Sequence, residues 1–142
     1  PDYEKVNELQ PDLIMVALRS GPLYPDLSQI APTVDLTVDS TNLIPTFKAA
    51  VTNIGLIFGK EAEVESRLAD IDASIERVNE LATSTGQTAL IVMVSGGEVT
   101  AFGPGSRFGL IHDVLGVTPI SADVETETHG DAISFEYILE KD

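Results

Sequence analysis

The sequence predicts an α/β protein in which two small lobes are joined by one long helix. Three observations predict it. The runs at residues 12–18 (Asp-Leu-Ile-Met-Val-Ala-Leu) and 88–95 (Thr-Ala-Leu-Ile-Val-Met-Val-Ser) are apolar stretches of strand length. Strands covered on both faces by helices read this way, so both runs suggest parallel sheets. Between them, residues 61 to about 82 carry Val64, Leu68, Ile71, Ile75, Val78 and Leu81 on one helical stripe with charges opposite. Such a helix is about 30–35 Å long and serves as a strut between lobes.

The elements follow in order. After the first apolar run, residues 32–38 (Pro-Thr-Val-Asp-Leu-Thr-Val) alternate and are rich in β-branched side chains, the pattern of an edge or half-covered second strand. Thr41 and Asn42 can cap a helix whose apolar positions Phe47, Val51, Ile54 and Phe58 recur at spacings of four and three. Pro45 fits its first turn and Gly59 ends it. The strut also has the stripe of a short coiled coil, but without a repeat elsewhere a helix lying on a domain is the better reading. Residues 84–87 (Ser-Thr-Gly-Gln) close it. The second lobe then has strand 88–95, a turn at Gly96 and Gly97, strand 98–102 and a helix over 107–116. Residues 124–131 read as a polar loop, and 133–141 as a final helix. The predicted division is 1–60 for part of the first lobe, 61–84 for the connecting helix and 85–142 for part of the second. With so few strands per lobe, the chain is expected to be an internal piece of a longer protein.

Composition removes several function classes. The 142 residues, 43% hydrophobic, suffice for one compact core or two small lobes. Eight Lys and Arg against 23 Asp and Glu give a net charge of −15, which repels nucleic acid phosphates. An anionic ligand must therefore be held by local arginines, of which there are Arg19, Arg67, Arg77 and Arg107. The absence of cysteine excludes disulfides, thiolate metal sites and thiol nucleophiles. Residues 13–18 are far too short to span a bilayer, and the first residues lack the pattern of a signal peptide.

The candidate sites are few. Arg107 is the first, because a Gly/Pro loop delivers it to the first turn of the 107–116 helix. A cation there faces the positive end of the helix dipole, and an anion bound at the free N–H groups accounts for its placement. Arg19 follows the carboxyl end of the first strand, where open α/β sheets bind ligands. His129, in Thr128-His129-Gly130, offers a loop imidazole able to ligate iron. His112 reads as a packing residue. The loop at Gly103-Pro-Gly-Ser-Arg-Phe-Gly109 follows a strand like a dinucleotide loop, but Pro104 removes an N–H and the third glycine is missing. There is no P-loop ending and no nucleophile elbow, and Glu125 and Glu127 are explained by a charged loop. The chain does not read as an enzyme.

Three stretches carry a family resemblance: Ala101-Phe-Gly-Pro-Gly-Ser-Arg-Phe-Gly-Leu-Ile-His-Asp-Val-Leu-Gly116, Thr128-His-Gly130, and Ser134-Phe-Glu-Tyr-Ile-Leu-Glu140. With Pro11-Asp-Leu-Ile14, Leu27-Ser-Gln-Ile-Ala-Pro-Thr33 and Ile57-Phe-Gly-Lys-Glu61 in order before them, the chain resembles the iron-siderophore substrate-binding proteins of bacterial ABC importers, in their ferric-catecholate branch. The resemblance implies two Rossmann-like three-layer (αβα) lobes, both incomplete here, joined by one long helix, with the ligand in the cleft. It implies an anionic ferric siderophore faced by three arginines, with a histidine and a tyrosine completing iron coordination. Arg19, Arg107 and His129 match three of these roles, His129 as the Fe(III) ligand; the third arginine and the tyrosine are expected beyond Asp142. Guanidinium groups suit the oxygen-borne charge of a ferric catecholate.

The resemblance further implies a ferric siderophore as ligand without an intrinsic cofactor, a membrane permease as partner, and a location in the periplasm or on a lipid anchor at the outer face of the membrane. Residues 1–142 alone are expected to bind the siderophore poorly and to self-associate through exposed sheet edges. Haem, cobalamin or another iron chelate on the same scaffold is the nearest rival ligand. A nucleotide-dependent enzyme using the 103–109 loop is the rival from another class.

Overall fold

The computed structural model describes residues 1–121, 124 and 130–141. The chain is α/β and divides into two compact units, Pro1–Glu65 and Ser66–Asp142.

In the first unit, helix α1 (Tyr3–Glu8) starts at Asp2, whose carboxylate accepts the Lys5 N–H. Strand β1 (Ile14–Val16) pairs in parallel with β2 (Thr33–Asp35), Ile14 opposite Thr33 and Val16 opposite Asp35. The predicted strands at 12–18 and 32–38 are thus present but short. A 3-10 segment (Leu18–Leu23) and helix α2 (Tyr24–Leu27) connect them. Helix α3 (Leu43–Phe58) forms where predicted and stops at Gly59, whose φ of 63° is left-handed; of its predicted apolar positions Phe47, Val51 and Ile54 are half-covered and Phe58 is exposed, while Ala50 and Gly55 are buried. Its approach is fixed by Asp39, whose carboxylate accepts the Thr41 N–H at 2.9 Å, while the Asn42 side chain makes no cap bond. Val16, Leu27 and Ala50 form the buried apolar core of this unit.

Helix α4 (Glu61–Thr85) is the predicted long helix, 25 residues or about 37 Å. None of its residues is buried; Val64, Leu68, Ile71 and Ile75 are half-covered, and Val78 and Leu81 are exposed.

The second unit corrects the reading of 88–95 as one parallel strand. Only β3 (Thr88–Ala89) is parallel, to β6 (Thr118–Pro119); β4 (Ile91–Ser95) is antiparallel to β5 (Glu98–Phe102). Gly96 and Gly97 cause this, since their φ values of 62° and 86° make the two-residue turn that folds a strand back on itself. β5 also pairs with β7 (Asp131–Ile133), which sequence reading assigned to a loop and a helix start. Helix α6 (Phe135–Glu140) begins only after Ser134, an extended N-cap whose Oγ accepts the Tyr137 N–H.

The predicted helix over 107–116 is a single turn, α5 (Leu110–Asp113). The preceding residues instead close turns, with Ser106 N–H on the Gly103 carbonyl and Gly109 N–H on the Ser106 carbonyl. Val99, Ala101 and Phe102 of the central strand β5, together with Val124, form the buried apolar core of this unit.

Candidate functional site

Arg107 stands in a turn, not in the first turn of a helix, so the helix dipole predicted from the sequence does not act on it. What holds it is aromatic. Its guanidinium carbon lies 4.8 Å from the Phe108 ring centroid and 5.2 Å from that of Phe102, and Nη2 is 3.5 Å from the Met93 sulfur. The two rings meet edge to face at 4.7 Å. Cation–π attraction of this kind fixes a guanidinium without neutralising it. Among the described residues Arg107 has no carboxylate within ion-pair distance, although the chain carries 23 acids.

The hairpin and the following loop build this cradle. Phe102 is buried at the end of β5, and Met93 comes from β4. Ser106, also buried, donates its hydroxyl to the Gly103 carbonyl at 2.7 Å and accepts the Phe108 N–H at 3.4 Å. Asp113 reaches back from α5 to take the Gly105 N–H at 2.7 Å. That bond occupies a backbone donor a phosphate would need, a second reason beside Pro104 against nucleotide binding in this loop. Gly109 is required by space, since a Cβ there would stand 2.8 Å from the Gly105 nitrogen and 3.0 Å from the Ser106 oxygen.

Arg19 lies in the 3-10 segment directly after β1, exposed, as its sequence position predicts. Ser20 Oγ accepts the Ala17 N–H and donates to the Ala17 carbonyl, tightening this turn. The backbone before Arg19 is unusual: Leu18 has φ 47°, and its N–H is held by the Thr37 hydroxyl at 3.0 Å. That hydroxyl in turn donates to Asp35, whose carboxyl is held below its ordinary range first by this bond and then by the Thr37 N–H.

His129 lies outside the described residues, as do Glu125 and Glu127. His112 is buried with Nδ1 at 2.7 Å from the Val117 carbonyl; a carbonyl only accepts, so Nδ1 carries the proton and the ring serves packing. Among the described residues no three His, Asp or Glu side chains gather as a metal site, and no helix is long and apolar enough to cross a membrane. Sequence reading missed the Met93, Phe102 and Phe108 cradle and the left-handed Leu18. The first had one signal, the aromatics on either side of the Gly/Pro loop.

Over residues 1–142 the chain matches the model of the periplasmic binding protein family, and it belongs to that family. It is 45% identical over 138 residues to the petrobactin-binding protein YclQ of Bacillus subtilis, covering 97% of this chain and 44% of the relative. The crystal structure of YclQ matches 99% of this chain and 50% of that one, with a TM-score of 0.87 at 44% identity. The ferric-anguibactin-binding protein FatB of Vibrio anguillarum is 36% identical over 142 residues, 97% of this chain and 44% of FatB. The periplasmic catecholate-siderophore binding protein VctP of Vibrio cholerae matches with a TM-score of 0.86 at 32% identity, over 99% of this chain and 51% of that one. The chain therefore has the periplasmic binding protein fold and spans about half the length of the relatives it matches.

Proposed function

We propose that the protein carrying this sequence is the extracytoplasmic substrate-binding component of an ABC importer, which captures a ferric siderophore of catecholate type and delivers it to a membrane permease. It works by binding, not catalysis. The chelate is cargo, and no resident cofactor is invoked. The observation that carries the reading is the Arg107 guanidinium, held by Phe102, Phe108 and Met93 and left unpaired among the described residues of an acidic chain. A fixed, un-neutralised cation suits a ligand with negative charge spread over oxygens. The names of YclQ, FatB and VctP support siderophore as the ligand class.

In this reading Arg19 and Arg107 bind the chelate, and His129 supplies a ligand to Fe(III) where the siderophore leaves a position open. The first lobe corresponds to 1–60, the connecting helix to 61–84 and the second lobe to 85–142. The protein resides in a periplasm or is lipid-anchored at the outer face of the membrane. Titrating the intact protein with ferric petrobactin, ferric anguibactin, haem and cobalamin, read by fluorescence quenching and visible absorption, tests it. Saturable binding of a ferric siderophore alone is expected; preference for haem or cobalamin overturns the ligand class.

A further inference from the structure

We infer that Leu18 is a specificity residue of the site proposed above, its side chain contacting an apolar part of the bound chelate beside Arg19; the inference rests on that reading. A single exposed leucine is ordinary on a protein surface. This one is not, because its backbone is left-handed, at φ 47°, where a branched side chain crowds the main chain and glycine is at ease. Burial does not offset the crowding: Leu18 is 67% exposed. Neither is the conformation a slack loop. The Leu18 N–H is held by Thr37, Thr37 is held by Asp35 at the end of β2, and Ser20 closes the turn onto Ala17 from the other side. A rigid frame thus presents an apolar side chain that contributes little to folding, one residue before a candidate ligand cation. Strained backbone held by its surroundings clusters at ligand-binding positions; of the two non-glycine residues with positive φ among the described residues, Gln10 and Leu18, Leu18 is the one beside a candidate ligand cation. Arg19 meets charged oxygens; Leu18 meets hydrocarbon of the same ligand.

The test uses the intact protein and its Leu18→Gly, Leu18→Met and Arg19→Ala variants, titrated with ferric petrobactin and ferric anguibactin by fluorescence quenching, with thermal unfolding of each unliganded variant. Leu18→Gly is expected to keep or raise the unfolding midpoint, by up to about 4 °C, because the strain is relieved. It should weaken binding at least about fivefold, while Leu18→Met stays within about twofold. A merely structural leucine predicts the reverse, lower stability with unchanged affinity, and that result overturns the inference. Unchanged affinity in Leu18→Gly beside a tenfold loss in Arg19→Ala overturns the inference alone. Absence of binding by the unmodified protein to either chelate overturns the functional reading and this inference with it.

Discussion

At the scale of single residues, the proposed site depends on how Arg107 keeps its charge available. If Arg107 binds the chelate as proposed, truncating it in the intact protein removes charge-assisted hydrogen bonds, each worth about 1.5–3 kcal/mol, so Arg107→Ala should weaken ferric siderophore binding about tenfold to a hundredfold. Arg67→Ala, at an exposed position of α4, should stay within about twofold in the same titration. The ring beneath the cation is a separate test. Phe108→Leu keeps the charge but loses one cation–π contact of roughly 0.5–2 kcal/mol, so an intermediate loss of affinity is expected, and Phe108→Tyr should restore it. Arg107 itself was legible because glycine, proline and arginine sit together in one stretch. Its cradle was not, since Met93 is fourteen residues away and meets Arg107 only through the fold. Leu18 was illegible for a stronger reason: leucine rarely adopts a left-handed backbone, so nothing in residue type announces it.

At the scale of elements, long periodic patterns translated well and boundaries did not. α3 and α4 were readable from spacing because many side chains vote for one face. The stretch 88–95 was misread because apolar continuity does not distinguish a parallel strand from one arm of a hairpin; the paired glycines decide it. Gly97 has φ 86° with open space around it, so the cost of replacing it is conformational. Gly97→Val should destabilise the second unit by about 1–2 kcal/mol in denaturant unfolding, with Gly97→Asn costing less, because asparagine tolerates this region. Before α3, Asp39 is held below the ordinary carboxylate range, first by the Thr41 N–H and then by the Thr41 hydroxyl. A carboxyl lowered in the folded state contributes stability above its unfolded value, near pH 4, and loses it as pH falls through the folded value. Unfolding measured from about pH 5 down to pH 2 should therefore show declining stability, and Asp39→Asn should flatten that decline.

At the scale of the whole molecule, the surface is the notable feature. Leu139, Leu9, Val94, Phe135 and Leu81 are each more than 60% exposed, on a chain that spans about half the length of its relatives. Apolar surface on that scale drives association, against which a charge of −15 provides repulsion that salt screens. Residues 1–142 expressed alone should scatter light as oligomers, more so in high salt; scattering of a monomer at all salt concentrations would contradict this. The fold class was readable at this scale from two apolar runs and one long stripe; the second unit's two separate sheets, parallel β3–β6 and antiparallel β4–β5–β7, were not, because the β3–β6 and β5–β7 partners are distant in sequence. The central claim is that Arg19 and Arg107 supply cations to an anionic iron chelate. Its most direct test is a fluorescence titration of the intact protein with ferric petrobactin, comparing the unmodified chain with Arg19→Ala and Arg107→Ala. Saturable binding that each substitution weakens at least about tenfold is the expected result; tight binding unaffected by either would contradict the account.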